Sequence, residues 1–212
     1  MDILSSTIDS IFTNGSCNNV KLFNLALTAA EVKAFSNGAA IPYKYIGASQ
    51  NALSSSTLEN SVSNAYTTFT GASPTGFHAE SDGASTQFAS TADEIPYVIG
   101  KKYRIAFTAT LTSGTSPYFR PCQNQGGALL VGGPTSVGIT EGSNVYDFVS
   151  GQTVTGTVLW INESTTTSYT IADFKVTQIG CVLDLNPSGI TASTWYDQSG
   201  NGLNGTVSGA VA

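Results

Sequence analysis

Charge is what this chain has least of. Charged residues make up 10% of its 212 positions, against roughly 25% in an ordinary soluble domain. There is one histidine, His78, and the acidic residues are scattered. Hydrolytic acid–base chemistry needs two carboxylates on one scaffold or a His-supported nucleophile, and no G-x-S-x-G elbow supplies a serine. The glycine pairs Gly126-Gly127 and Gly132-Gly133 lack a following Lys and open no helix, which excludes a phosphate cradle. The expectation is a protein that is not an enzyme and carries no cofactor. Eight Lys and Arg against fourteen Asp and Glu give a formal charge of −6. Nucleic acid and anionic membranes need clustered cations and are therefore excluded as partners. No apolar run approaches the roughly 18 residues of a membrane helix. The start Met1-Asp2-Ile3 lacks the basic and apolar regions of an export signal. The three cysteines, Cys17, Cys122 and Cys181, are an odd number, far apart, with no C-x-x-C spacing. They fit neither a disulfide framework nor a zinc site. They read as reduced and buried, and so point to assembly in a cytoplasm.

What is there instead is Ser, Thr, Gly and Asn around 41% apolar residues, a composition that folds and that suits strands with one wet face. From 41 to 185 short apolar–polar alternations are broken by Gly, Ser, Thr and Pro. In the run 100–111, Tyr103, Ile105, Phe107, Ala109 and Leu111 fall on one face and Lys102, Arg104, Thr108 and Thr110 on the other. The runs 152–161 and 168–176 repeat the pattern around a turn at Asn162-Glu163-Ser164-Thr165. Trp160 shares its face with Val154 and Val158, which makes it a core residue. The fold class expected is all-β, an antiparallel jelly-roll β-sandwich of about eight to ten strands. One short helix is expected near the N-terminus, over 27–38, with Thr28 and Glu31 as a capping box and Asn37-Gly38 as its stop. Strands at 6–12 and 19–25 flank a turn at Asn14-Gly15-Ser16 ahead of it.

Four segments resemble known families. Val20 to Val32 followed by Gly38 resembles the closing strand and helix of laminin-G/concanavalin-like sandwiches, "N-x-A-L-[ST]-x-x-E-[VI]". Trp195-Tyr196-Asp197-Gln198-Ser199-Gly200-Asn201 with Gly205-Thr206 resembles the opening of the same domain type. The end of one sandwich thus precedes the start of another. Between them, Gly100 to Ala109 and Tyr169 to Val176 resemble the "G-x-x-Y-x-[IL]-x-F-x-A" and "[FY]-x-[IL]-D-[DN]-[FV]-x-[VL]" strands of jelly-roll carbohydrate-binding modules. Ala172 stands where those modules carry an acid, so the resemblance brings no structural calcium with it. The division it implies is 1–40, a hairpin and helix; 41–185, the sandwich; and 186–212, a second laminin-G-like fragment. Such a string resembles bacteriophage tail-fibre proteins.

Sugar recognition combines an aromatic platform with amide, carboxylate or Arg groups. The segment Ser116 to Gln125 offers that mixture, with Tyr118, Arg120 and Gln123 as candidate carbohydrate-binding residues and Tyr118, Arg120 and Cys122 on one face. His78, Glu80 and Asp82 share one side of a strand. They could contact a cation or a sugar hydroxyl, or simply form a solvated strand end. Trp195 reads as a packing residue, and Asp197 with Asn201 as fixing a turn in preference to binding calcium. The resemblance implies a structural module of a phage tail fibre or other virion appendage, assembled in the host cytoplasm. Its partners would be other virion proteins, its own copies, trimeric by preference, and host surface glycans. The alternative is a carbohydrate-binding accessory module of a secreted glycosidase or adhesin, located outside the cell.

Overall fold

The computed structural model describes residues 20–23, 26, 27, 29, 32, 33, 53–199 and 202–207, with Cys181 and Val182 described by backbone alone. These residues form fifteen strands. In chain order they are β1 Val20–Phe23, β2 Glu59–Asn60, β3 Thr68–Ser73, β4 Gly76–Asp82, β5 Gln87–Ser90, β6 Ile95–Tyr97, β7 Lys102–Gly114 and β8 Tyr118–Cys122. They continue with β9 Val137–Gly138, β10 Gly142–Val149, β11 Val154–Asn162, β12 Thr166–Ile179, β13 Cys181–Ile190, β14 Thr194–Asp197 and β15 Gly205–Thr206.

The alternation in 100–111 becomes the centre of the fold. In β7, Tyr103, Ile105, Phe107 and Ala109 are buried, Leu111 partly so, while Thr108 and Thr110 face solvent. Its antiparallel neighbours are β10 and β12, in a five-stranded sheet ordered β10-β7-β12-β4-β3. A six-stranded sheet ordered β2-β5-β11-β8-β9, with β6 also on β11, packs against it. The two sheets meet through aromatic rings. Phe107 of the first and Phe119 of the second have centroids 4.9 Å apart, and Trp160 on β11 lies edge-on to Phe77 at 5.4 Å and Phe174 at 4.8 Å. Aromatic pairs of this geometry add about 0.5–1.5 kcal/mol each beyond their buried area. The molecule is thus the expected antiparallel sandwich, with Trp160 in its core. Five and six strands exceed the eight to ten expected, because β2, β6 and β9, at two or three residues each, are too short to leave an alternating signature.

Several polar groups of the sandwich are paired with groups far away in sequence. Tyr169 donates its hydroxyl to Tyr66 Oη at 2.9 Å, and Tyr66 donates in turn to the Trp160 carbonyl at 3.4 Å. Glu94 clamps the beginning of the domain. Its Oε1 accepts from Ser54 Oγ at 2.7 Å and from the Ser55 and Ser56 N–H groups, each at 2.9 Å, while Oε2 accepts from Ser56 Oγ at 2.8 Å. Burial alone would push the Glu94 carboxyl up, but the Ser54 and Ser56 donors outweigh it and hold the carboxyl below its ordinary range. A lowered folded-state pKa stabilises the fold above the ordinary carboxylate pKa and ceases to as pH falls through the lowered value. Glu94→Gln is therefore expected to cost on the order of 1 kcal/mol at neutral pH, with the gap to wild type closing on acidification in thermal melts. A gap that stays constant through the acid range would show that the charge is not its source.

A separate four-stranded sheet is ordered β1-β13-β14-β15. It joins the two flanks of the sandwich, with Val20 opposite Leu185 and Leu22 opposite Leu183. Lys21 meets the buried Asp184 at 3.5 Å. The strands of the sandwich run from Glu59 to Ile179, and β13, which spans residue 185, belongs to this small sheet. The strand expected over 19–25 is β1. The strand at 6–12, the turn at Asn14-Gly15-Ser16 and most of the 27–38 helix lie outside the described residues, of which Ala29, Val32 and Lys33 are helical.

Candidate functional site

The outer face of the six-stranded sheet carries the first set of candidates. Tyr118, Arg120 and Cys122 point away from the core as the alternation requires, while Phe119 is buried within it. The chain after β8 then folds back over that face. Gln123 N–H donates to the Ala128 carbonyl at 2.8 Å, Gln123 Nε2 to the Leu129 carbonyl at 2.8 Å, and Arg120 Nη2 to the Gly127 carbonyl at 3.4 Å. Gln125 N–H donates to Asp93 Oδ1 at 2.8 Å and its side chain to Glu59 Oε2 at 2.9 Å. Beneath this loop Cys122, Leu159 and Ile161 form a small apolar cluster, with Phe88 and Tyr118 packed on it. The Tyr118 hydroxyl donates to Glu163 Oε1 at 2.9 Å. Arg120 and Gln123 thus hold a loop in place. Burial pushes the Cys122 thiol up, which keeps it protonated and unreactive.

The second set sits on the outer face of the five-stranded sheet. His78, Glu80 and Asp82 all face outward from β4, whose Phe77 and Ala79 enter the core. His78 Nδ1 lies 3.1 Å from Thr170 Oγ1 on the neighbouring strand, and Nε2 lies 3.4 Å from Glu80 Oε1. A hydrogen bond from Thr68, and then one from His78, hold the Glu80 carboxyl below its ordinary value. Asp82 stands apart. Its Oδ1 accepts from Ala84 N–H at 2.9 Å and fixes the turn at Gly83, whose φ is 78°.

Beside His78 the surface sinks into a depression of about 310 Å³, whose polar lining is Thr70, Ser73, Thr75, His78, Thr170 and Asp173. A break in β12 creates it. The ladder between β12 and β7 slips between Ala172 and Lys175, so Ile171 and Phe174 both enter the core although three positions apart. The extra residue is Asp173, which adopts φ 55° and is turned outward, with Oδ2 accepting from Thr108 Oγ1 at 3.3 Å. Bulges of this kind re-aim a side chain, and an Asp tolerates the left-handed region better than most residues. Sequence reasoning placed His78 and Glu80 among the site candidates but did not group Asp173, Thr170 or Thr70 with them. The signal for Asp173 was available as the three-residue step from Ile171 to Phe174 in a strand whose other apolar positions alternate.

In the small sheet, Asp197 closes a turn. Its Oδ1 accepts from the N–H groups of Asp184 and Ser199 at 2.9 and 2.8 Å, and its Oδ2 from Ser199 Oγ at 2.7 Å and Leu203 N–H at 3.1 Å. Burial pushes this carboxyl up, yet the four donors bring it below its usual value. Trp195 donates from Nε1 to the Asn186 carbonyl at 2.7 Å. Asn201 lies outside the described residues. No family model, no curated protein and no solved structure matches this chain.

Proposed function

We propose that this chain is a structural module of a bacteriophage tail fibre or comparable virion appendage, presenting a sandwich surface to host glycans. The observation that carries this reading is the pairing of β1 with β13. The strand before the sandwich and the strand after it lie side by side, so the sandwich stands as an arm on a chain that continues past it. That is a sound arrangement for one unit in a string, because the string's path is independent of the arm's. Four acidic groups of the sandwich support a scaffold over a hydrolase. Glu94 and Asp93 tie loops, Asp147 holds Arg104 through two bonds of 2.7 and 2.8 Å, and Glu141 accepts from Leu111 N–H at 2.6 Å. Carboxylates committed in this way are not free to shuttle protons.

A fibre module of this kind acts as an assembly, so mass photometry of the purified chain is expected to show trimers or larger species. A strictly monomeric chain at micromolar concentration would overturn the fibre reading in favour of an accessory sugar-binding module.

A further inference from the structure

We propose that the depression beside the β12 bulge is a binding site for a single neutral sugar ring, the terminal monosaccharide of a glycan. The inference deepens the reading above and rests on its glycan-recognising half.

Four observations converge on it. The volume, about 310 Å³, is at the lower end of ligand pockets, enough for one ring and too little for a buried chain. The polar groups come from three adjacent strands and the β3–β4 turn: Thr70 from β3, Ser73 and Thr75 around the turn, His78 from β4, and Thr170 and Asp173 from β12. They are hydroxyls and a carboxylate, which donate and accept in the mixture that sugar hydroxyls require, and an imidazole whose two nitrogens are held by Thr170 and Glu80. Ala172 and the bare backbone of Gly71 give the depression an apolar patch for a ring face. At Gly71, φ is 65° and a Cβ would meet nothing within 4 Å, so the space above it is open.

Asp173 is the decisive residue. A non-glycine residue in the left-handed region costs of order 1–3 kcal/mol, and here the bulge spends that strain on turning a carboxylate out at the depression that His78 also lines. Thr108 occupies Oδ2, which leaves Oδ1 to accept from a ligand hydroxyl. His78, oriented by Thr170 at Nδ1 and Glu80 at Nε2, lines the same depression. None of the lining residues is Lys or Arg, and with Asp173 and Glu80 both nearby the site disfavours sugars bearing carboxylate or sulfate. The ligand class is therefore neutral hexoses and N-acetylhexosamines.

The test is an amide-resolved NMR titration of the full chain with the methyl glycosides of glucose, galactose, mannose and N-acetylglucosamine, with methyl glucuronide as the anionic comparison. At least one neutral glycoside is expected to shift amides in 70–78 and 170–175, with millimolar affinity, and methyl glucuronide to leave them unmoved. Asp173→Gly keeps the left-handed backbone without strain and is expected to weaken binding roughly tenfold or more, as loss of a hydrogen bond to a charged group does. Asp173→Asn, which preserves shape, covers the case in which the glycine variant is poorly folded, and His78→Ala should act in the same direction. Saturable binding that none of these variants alters would place the sugar elsewhere, overturning the site while leaving glycan recognition standing. No shift with any glycoside would overturn the site and the glycan half of the proposed function together, while the assembly half stays with the mass measurement.

Discussion

Trp160→Ala is expected to cost the sandwich about 3–5 kcal/mol of unfolding free energy, the largest loss of any single side-chain truncation in the domain. Trp160 is 0% exposed and is the largest fully buried side chain. Its indole stands edge-on to Phe77, Phe107 and Phe174, with centroids 5.4, 6.2 and 4.8 Å away. Truncation therefore removes both the transfer free energy of the indole and the partners of three rings anchored in the opposite sheet. The cavity cannot collapse easily, since Phe77, Phe107 and Phe174 belong to three different strands. The indole N–H has no hydrogen-bond acceptor among the described residues, so nothing polar is left stranded by its loss and the cost is one of packing. Denaturant unfolding followed by far-UV circular dichroism measures it, with the fluorescence of Trp195 as an independent signal from the small sheet. A loss below about 1 kcal/mol is what an exposed position would give and would remove Trp160 from the core.

The second large effect belongs to a backbone position. Gly114 ends β7 with φ 81°, and a Cβ there would collide with the Thr166 carbonyl oxygen, with that carbonyl's carbon 2.7 Å away and Thr167 Cα 2.8 Å away. All three atoms are backbone of the neighbouring β12, so nothing flexible can yield. Gly100 has a similar φ of 76° but nothing within 4 Å. The pair separates strain from collision. Gly100→Ala is expected to cost about 1 kcal/mol from the left-handed backbone alone. Gly114→Ala carries the same cost and must also push β12 off β7, for a total of about 3 kcal/mol or more. Equal losses in the two variants, measured in the same denaturant series, would show that β7 and β12 do not approach this closely.

These two residues also mark how far the sequence can be read. Trp160 and the alternation of Tyr103, Ile105, Phe107 and Ala109 are local signals, since a period of two in one strand assigns its faces without knowledge of the partner. The outward set Tyr118, Arg120 and Cys122 was legible on the same ground. The fate of those side chains was not, because it depends on a loop from Gln123 to Leu129 folding back on the sheet that carries them, and a loop's path is fixed by tertiary partners such as Asp93 and Glu59. The need for glycine at 114 was hidden for a related reason: it arises from a strand some fifty positions later in the chain. Asp173 falls between these cases. The step from Ile171 to Phe174 announces a bulge, but that the bulge opens beside His78 follows only from the register of β12 on β4, in which Thr170 faces His78. The pairing of β1 with β13 was the least legible feature, since the two segments lie on either side of the whole sandwich and nothing local indicates that they meet.

That pairing also determines how the molecule bears tension. Val20 is opposite Leu185 and Phe23 is opposite Cys181, so among the described residues a pull on the start of β1 and the end of β15 passes first through β1, β13, β14 and β15. The sandwich lies on the far side of this ladder, beyond Phe23 and before Cys181. Along this path the β1–β13 hydrogen bonds must unzip one by one before force reaches the core.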